Sequence, residues 1–201
     1  MITIDAIRVG DSPDAWRDIG FTVTDDVCEI DGVRLRLTDS GTGITDWTLR
    51  GFPETAESID GIPTAASSTE LGGSPSHTNG VTRIDHVVFM TPDLGRTATS
   101  LTELGLEIRR ERDAGAFRQL FLKLGDVILE VVGPQEAGPG VSHLWGLTFV
   151  VDDLDSTAAF LGDRIGRVKD AVQPGRRITT LRGREIGISP AMAFMTPRAA
   201  R

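Results

Sequence analysis

The sequence predicts an α+β protein built from repeated β-α-β-β-β units. Three observations lead to this fold class. A strand that runs into the start of a helix occurs three times, beginning near Ile4, Ile84 and Leu147. Each of the three predicted helices ends at a glycine that precedes a new strand, as a left-handed helix cap would. Short strands joined by tight turns then follow, such as the hairpin expected around Gly125-Asp126.

The repeats divide the chain into units and joints. A truncated unit is predicted over 1–53. Its helix from Pro13 to Ile19 is shorter than the others, which favours a structural contribution over a site. Complete units are predicted over 82–134 and 144–197. The segment 54–81 is rich in Ser, Thr, Gly and Pro, which predicts a flexible linker with room for one short ordered piece.

Turn and periodicity signals locate the elements inside each unit. In the first unit, Asp31-Gly32 is typical of a two-residue hairpin turn. In the second, apolar residues recur on one helical face from Leu94 to Leu104, which indicates a helix packed on the core. In the third, 178–181 and 191–195 are predicted as the last strands.

Composition narrows the range of partners and compartments. The formal net charge of −8 argues against nucleic acid or an anionic membrane as a partner. No apolar run approaches the roughly 18–20 residues that a membrane helix needs. The start Met1–Asp5 lacks the features of a signal peptide, and the single Cys28 excludes an intrachain disulfide. These features predict a cytoplasmic protein without a membrane or nucleic-acid partner.

Two apolar strands of the second unit each carry one polar side chain in the middle. His86 lies within the strand 83–89 and Glu130 within the strand 127–134. A strand that is apolar throughout is normally covered on both faces, where an unsatisfied polar group is costly. A metal, a substrate or each other could satisfy the two side chains. The alternative is a His–Glu pair that satisfies itself and has no further role.

These two strands also carry a family resemblance. Ile84-Asp85-His86-Val87-Val88 in the first strand and the run 128–134 in the fourth resemble the vicinal oxygen chelate superfamily. That group includes glyoxalase I, extradiol dioxygenases, methylmalonyl-CoA epimerase and the bleomycin-resistance proteins. The resemblance is good over 82–197 and weak over 1–53. It implies that two units pair into a cup-shaped mixed sheet, with metal ligands on the first and fourth strands of each unit.

The resemblance assigns half of a metal site to this chain. His86 falls on the first-strand ligand position of its unit and Glu130 on the fourth-strand position. In the last unit the same positions fall on Gly146 and Ala193, which carry no ligating side chain. A catalytic metal usually has three protein ligands. A divalent Ni, Zn, Mn or Fe ion would therefore bind weakly, and the resemblance also admits a site without metal.

Other residues could supply the missing ligands. In the first unit the two ligand positions fall on Ala6 and on Thr48 or its neighbours, which are little better as metal ligands than Gly146 and Ala193. His143 precedes Gly146 by three residues, and the strand period places it on the opposite face. A homodimer could bring two His86/Glu130 pairs together, because symmetry permits such a pairing.

Three further side chains are predicted to contact a small-molecule ligand. Gln119 lies on the third strand of the second unit, where it could fill the gap left by the missing metal ligands. Arg177, within the basic run 176–184, could clamp an anionic substrate such as a carboxylate or a CoA phosphate; the alternative is a solvated hairpin. Trp145 could line an apolar pocket or pack in the core. His77, in the linker, is expected to be exposed and without a role.

Two functions follow from the resemblance and the His–Glu pair. The first is a glyoxalase-like lyase or isomerase with His86 and Glu130 as catalytic residues, acting on a substrate with vicinal oxygens. A glutamate held in an apolar strand is suited to abstract a proton next to a carbonyl. The second is a metal-free binding or sequestering protein, similar to the bleomycin-resistance members. A ferredoxin-like regulatory module fits the β-α-β start but not the three consecutive strands.

Overall fold

The structure is a computed structural model that describes residues 1–70, 72–73 and 75–198. Two mixed sheets account for most of it. The first half of the chain contains β1 (Thr3–Val9), α1 (Pro13–Asp18), β2 (Val27–Ile30), β3 (Val33–Leu37), β4 (Ile44–Arg50), β5 (Ser58–Ile59) and β6 (Ile62–Ser67). The second half contains β7 (Val81–Met90), α2 (Leu94–Glu103), β8 (Arg110–Asp113), β9 (Phe117–Leu124), β10 (Val127–Pro134), β11 (His143–Val151), α3 (Leu154–Leu161), β12 (Lys169–Asp170), β13 (Arg177–Thr180) and β14 (Ala191–Met195).

The second half forms an eight-stranded sheet from two complete units. Its strand order is β12-β13-β14-β11-β7-β10-β9-β8. The first strands of the two units, β7 and β11, pair antiparallel at the centre. The fourth strand of each unit lies parallel to its first, β10 beside β7 and β14 beside β11. The predicted α+β fold of paired β-α-β-β-β units is therefore confirmed, as is the hairpin of β9 and β10.

The first half forms a six-stranded sheet with the same centre. Its order is β2-β3-β1-β4-β6-β5, with β1 and β4 antiparallel, β3 parallel to β1 and β6 parallel to β4. It thus holds two reduced units: the first lacks one strand, and the second has no helix between β4 and β5. Within the predicted linker 54–81, residues 58–67 form two strands, β5 and β6, where the sequence predicted at most one short ordered piece. These strands are short and rich in Ser, Thr and Pro, so their composition resembles that of a loop.

The turn between β5 and β6 is anchored to the second half of the chain. Asp60, at φ 47°, accepts hydrogen bonds from Arg96, Thr97 and Ser142, each at 2.5 Å. Burial alone would raise the pKa of Asp60, but these hydrogen bonds outweigh it and hold the pKa below its ordinary value. The six-stranded sheet is therefore fastened at this turn to the start of α2.

An aromatic cluster joins the two sheets in one continuous core. Trp16 of α1 packs on Phe21 with ring centroids 5.0 Å apart, and Phe21 packs on Phe149 of β11 at 5.2 Å. Phe149 in turn lies 6.0 Å from Phe194 of β14. Aromatic pairs at such distances contribute beyond their buried area.

His77 belongs to this packing, so its predicted exposure is wrong. Its ring lies 5.5 Å from that of Phe21, and it is buried. Its Nδ1 accepts a hydrogen bond from the backbone N–H of Thr22 at 3.0 Å, and its Nε2 lies 3.1 Å from the carbonyl oxygen of Glu29. Burial lowers the pKa of His77, with the bond to Glu29 acting in the opposite direction. The polar sequence around His77 gave no sign that its ring would link Thr22 and Glu29 of the first unit.

The helices are short. Within the part of the chain that the structure describes, none has the length and apolar character of a membrane span.

Candidate functional site

His86 lies on the open face of the eight-stranded sheet, which is the face away from the core. Along β7 and β10 the core receives Val87, Phe89 and Leu129, which are fully buried. On the alternating positions, His86 and Glu130 are only partly buried. Because successive strand residues point to opposite faces, both polar side chains belong to the open face.

A β-bulge brings Asp85 to the same face as His86. On the neighbouring β11, Thr148 pairs with His86 and Phe149 pairs with Ile84, so Asp85 is the extra residue. A bulge re-aims side chains that the strand period would separate. As a result, Asp85 Oδ2 lies 3.0 Å from His86 Nδ1.

Asp85 is held by an arginine of the other unit. Arg176, just before β13, donates from Nη2 to Asp85 Oδ1 at 2.8 Å and from Nε to the carbonyl oxygen of Thr196 at 2.8 Å. The side chains of Arg176 and Asp85 are only 2% and 3% exposed. Burial would raise the pKa of Asp85, but hydrogen bonds from His86 and Arg176 prevail and hold it well below its ordinary value. The ionised Asp85 favours a proton on His86 Nδ1 and leaves Nε2 with its lone pair.

Glu130 completes the arrangement on the next strand. It pairs with Val88 in the β7–β10 ladder, and its Oε2 lies 3.4 Å from His86 Nε2. Burial raises the pKa of Glu130, and the charges of His86 and Arg112 partly offset that rise. The site therefore places a weakly acidic carboxyl group beside an oriented imidazole. We refer to Asp85, His86, Glu130 and Gln119 as the His–Glu site.

Gln119 of β9 is the outer member of the His–Glu site. Its Nε2 donates to Glu130 Oε1 at 2.8 Å, so the structure brings this predicted residue to Glu130. Its own carbonyl oxygen, Oε1, is buried and has no hydrogen-bond partner within the described residues. Buried acceptors are normally satisfied. A donor on a bound ligand would satisfy this one.

The strand register identifies the corresponding positions in the last unit. On β11 the extra residue is Trp145, because Leu144 pairs with Phe89 and Gly146 with Val88. Gly146 therefore follows its bulge as His86 follows Asp85. Two residues later on each strand, Thr148 lies opposite Ala193 as Val88 lies opposite Glu130. The register agrees with the positions inferred for Gly146 and Ala193 from the sequence.

The residues present do not fit a three-ligand metal centre. Among the described residues, no group of three or more His, Cys, Asp or Glu side chains could hold a metal ion. The position at Gly146 is also closed, because a Cβ there would lie 2.4 Å from the carbonyl oxygen of Ala191. What remains is one imidazole, one carboxylate and the amide oxygen of Gln119. A catalytic site usually has three strong protein ligands.

The six-stranded sheet has the same bulge but different side chains. Asp5 is the extra residue there, since Ile4 pairs with Leu49 and Ala6 with Thr48. The first-strand position is therefore Ala6, as expected from the sequence.

The fourth-strand position of that sheet differs from the prediction. It is Arg36, which lies two residues beyond the pairing of Ala6 with Arg34. Thr48 lies on β4, opposite Ala6, so placing it at the fourth-strand position is wrong. The missing strand of the first unit moves the equivalent residue to an earlier point in the chain.

The structure does not bring Arg177 to the His–Glu site. Its two Nη atoms donate to the carboxylate of Asp155 on α3, at 3.1 and 2.8 Å. Adjacent strand residues face opposite sides. The arginine that reaches the site is therefore its neighbour, Arg176.

Trp145 is 52% exposed and lines a surface cleft with His143, at the start of β11. Phe194 of β14, an aromatic residue of the same unit, is fully buried in the core.

Sequence reasoning missed Asp85 and, within the basic run 176–184, singled out Arg177 and not Arg176. An alternating pattern places Asp85 on the face opposite His86, and only the bulge reverses this. One signal was present: Ile4-Asp5 and Ile84-Asp85 repeat an aspartate at the same point of an apolar strand.

No protein-family model and no curated protein matches the chain. Solved structures are similar over both sheets. A variant of 4-hydroxymandelate synthase from Streptomyces coelicolor matches with a TM-score of 0.68 and 15% identity, over 99% of this chain and 93% of that one. A halotolerant catechol dioxygenase, BphC, matches with a TM-score of 0.62 and 11% identity, over 96% and 86%. A homoprotocatechuate 2,3-dioxygenase variant from B. fuscum matches with a TM-score of 0.59 and 13% identity, over 98% and 71%.

Proposed function

We propose, from the vicinal oxygen chelate fold that the chain shares with these structures, that the open face of the eight-stranded sheet binds a small oxygen-rich molecule. His86 and Glu130 then transfer a proton on that molecule, in a reaction of the lyase or isomerase class. One observation carries the proposal. Glu130, whose pKa is raised by burial, lies 3.4 Å from an imidazole whose other nitrogen faces a buried, ionised Asp85.

Each residue of the His–Glu site has a defined part. Glu130 Oε2 accepts a proton from a carbon next to a carbonyl group, while Gln119 holds Oε1 in place. A raised pKa makes the Glu130 carboxylate a stronger base than an ordinary one. His86, oriented by Asp85 through Nδ1, presents Nε2 at 3.4 Å from Glu130 Oε2 as the second group that can accept or return the substrate proton. Return of the proton from Glu130 to another atom would give an isomer. No step is assigned to a metal, because the residues do not fit one.

The second candidate is a site that binds a small molecule without turnover. The observation that favours it is the loss of both ligand positions in the last unit, with Gly146 closed to any side chain. A binding protein of the bleomycin-resistance type would need the pocket and not the reactive pair. The homodimer and the cytoplasmic location expected from the sequence remain predictions, as does the absence of membrane and nucleic-acid partners.

Proton exchange tests the proposal without knowledge of the product. Wild-type protein is incubated in D₂O with a panel of α-hydroxy and α-keto carbonyl compounds, and loss of the α-proton signal is followed by ¹H NMR. We expect at least one compound to exchange. Glu130→Gln and His86→Gln should slow that exchange by about 10²–10⁴-fold, the usual contribution of acid–base catalysis.

Arg36→Gln is the matched control, because Arg36 occupies the position of Glu130 in the other sheet. It should leave exchange unchanged. If Glu130→Gln and His86→Gln both exchange at the wild-type rate, the reactive role of the pair is wrong. Tight binding of a compound without any exchange would favour the second candidate.

A further inference from the structure

Trp145 is the exposed tryptophan of this chain. Its exposed fraction is 52%, whereas Trp16 and Trp47 are 0% and 1% exposed. It is also the bulge residue of β11, and Leu144 just before it lies in the core. A bulge re-aims the side chain that it carries. Here the bulge leaves a large aromatic side chain in solvent beside Gly146, on the open face.

The part of the open face between Trp145 and the His–Glu site carries only short side chains. Glu130, Val88, Gly146 and Ala191 form one row across β10, β7, β11 and β14. Because neighbouring strands lie about 4.8 Å apart, Gly146 is about 10 Å from Glu130. Gly146 and Ala191 have no side chain beyond Cβ. A ligand about 10 Å long could therefore span from Glu130 to Trp145.

Trp145 and Ala191 line a surface cleft of about 580 Å³ whose rim is charged. The exposed rim residues are Arg182, Arg184 and Glu185. Arg182 donates to the carbonyl oxygen of Asp163. The Arg184 side chain has no hydrogen bond or ion pair to any residue that the structure describes. The cleft thus combines an unpaired guanidinium with an exposed indole, and only one carboxylate opposes its two arginines.

We propose that this cleft binds the planar, negatively charged part of the ligand, so that the substrate of the His–Glu site is an aromatic carboxylate or a close planar analogue. The proposal rests on the proposed function for the location of the reacting atoms. An indole face stacks on planar rings. A guanidinium forms paired, charge-assisted hydrogen bonds with a carboxylate. Arg184 and Trp145 then determine which ligand is held, and His86 and Glu130 act on its other end.

The test uses 2-naphthoate as the probe and calorimetric titration as the measurement. We expect the wild-type protein to bind it, and Trp145→Ala to weaken binding by about 5–10-fold through loss of stacking. Arg184→Gln should weaken it by about 10-fold through loss of a charge-assisted bond. The neutral 2-naphthamide and the non-planar cyclohexanecarboxylate should both bind less tightly than 2-naphthoate. Trp145 also reports directly, since the probe should protect wild-type fluorescence from quenching by acrylamide.

Two control variants match the chemistry away from the cleft. Phe160→Ala removes another exposed aromatic side chain, on α3, and Arg36→Gln removes an exposed guanidinium from the six-stranded sheet. Both should bind 2-naphthoate like wild type. Calorimetric titration of the wild-type protein does not require turnover, so the cleft can be confirmed even if proton exchange fails.

Wild-type affinity in both Trp145→Ala and Arg184→Gln would overturn the proposal. So would equal affinity for 2-naphthoate and 2-naphthamide, or no binding of 2-naphthoate by the wild-type protein. None of these three results concerns proton exchange, which tests the reactive pair separately.

Discussion

The two sheets share one architecture and differ in the side chains that follow the same bulge. Each has an antiparallel central pair of strands, and each first strand carries a bulged, buried aspartate that is bound by arginine. In the six-stranded sheet, Ala6 follows the aspartate and Arg36 takes the fourth-strand position. In the eight-stranded sheet these positions hold His86 and Glu130. The comparison separates a structural feature of both halves from the chemical groups of one half.

The largest expected difference concerns the two aspartates. Arg176, the partner of Asp85, is 2% exposed, whereas Arg34 and Arg50, the partners of Asp5, are 19% and 16% exposed. Removing one partner of a buried ion pair leaves an uncompensated charge. Asp85→Ala should therefore lower the free energy of unfolding by about 3–5 kcal/mol.

Asp5→Ala is the comparison variant, and it should have the smaller effect because its arginines can reach water. Urea unfolding of both variants checks this prediction. An equal loss of unfolding free energy in the two variants would show that burial of the arginine partner does not determine the size of the effect.

A second difference concerns how the sheets are joined. Asp60 of the six-stranded sheet accepts hydrogen bonds from Arg96, Thr97 and Ser142 of the other half. Asp60→Ala should lower the free energy of unfolding by about 2–3 kcal/mol, because donors to a charged group lose their acceptor. Asp39→Ala is the control, since Asp39 has the same φ of 47° and is exposed. A linker without structural role would give the same small change in both variants.

A third prediction asks whether the last unit can regain its ligands. Gly146→His combined with Ala193→Glu restores the expected residue types but places a Cβ against the carbonyl oxygen of Ala191. Overpacking of this kind typically costs about 1–3 kcal/mol. We expect lower stability and no gain in affinity for Zn²⁺ or Ni²⁺, measured by unfolding and by calorimetric titration. Ala193→Glu alone serves as the control. Tight metal binding by the double variant would show that the site is still open.

The smallest effect is the pH dependence that Glu130 contributes. Burial raises the pKa of Glu130, so the folded state holds this proton more tightly than the unfolded chain. Its stabilising contribution is present below the ordinary carboxyl pKa of about 4.3 and is lost as pH rises through the folded pKa. Relative to Glu130→Gln, which does not titrate there, the wild type should lose stability from pH 4 towards neutrality. A difference that is constant over this range, or of opposite sign, would contradict the assignment.

The sequence predicted most strands of the eight-stranded sheet, because its units contain long apolar runs and strong turns. The turn at Gly125-Asp126 lies where expected, and β14 has the predicted bounds. The sequence did not predict the strands within 58–67, because they are too short and polar to show an alternating pattern. The six-stranded sheet could therefore be seen only as a truncated copy.

The site was predicted in part. The pattern singled out His86 and Glu130, and the structure places them side by side. It could not reveal the bulge at Asp85, because an extra residue changes a side chain's face without changing composition. The same ambiguity led to Arg177 rather than Arg176. The face of the sheet on which a side chain lies depends on strand register, which a single sequence does not reveal.

The most direct test of the account compares proton exchange in three proteins after treatment with a chelator. The substrate is the first α-hydroxy or α-keto compound found to exchange, and the proteins are wild type, Glu130→Gln and Arg36→Gln. We expect chelated wild type and Arg36→Gln to exchange alike, and Glu130→Gln to be slower by about 10²-fold or more. This expectation would be contradicted if Glu130→Gln kept the wild-type rate, or if chelation abolished exchange and added metal restored it.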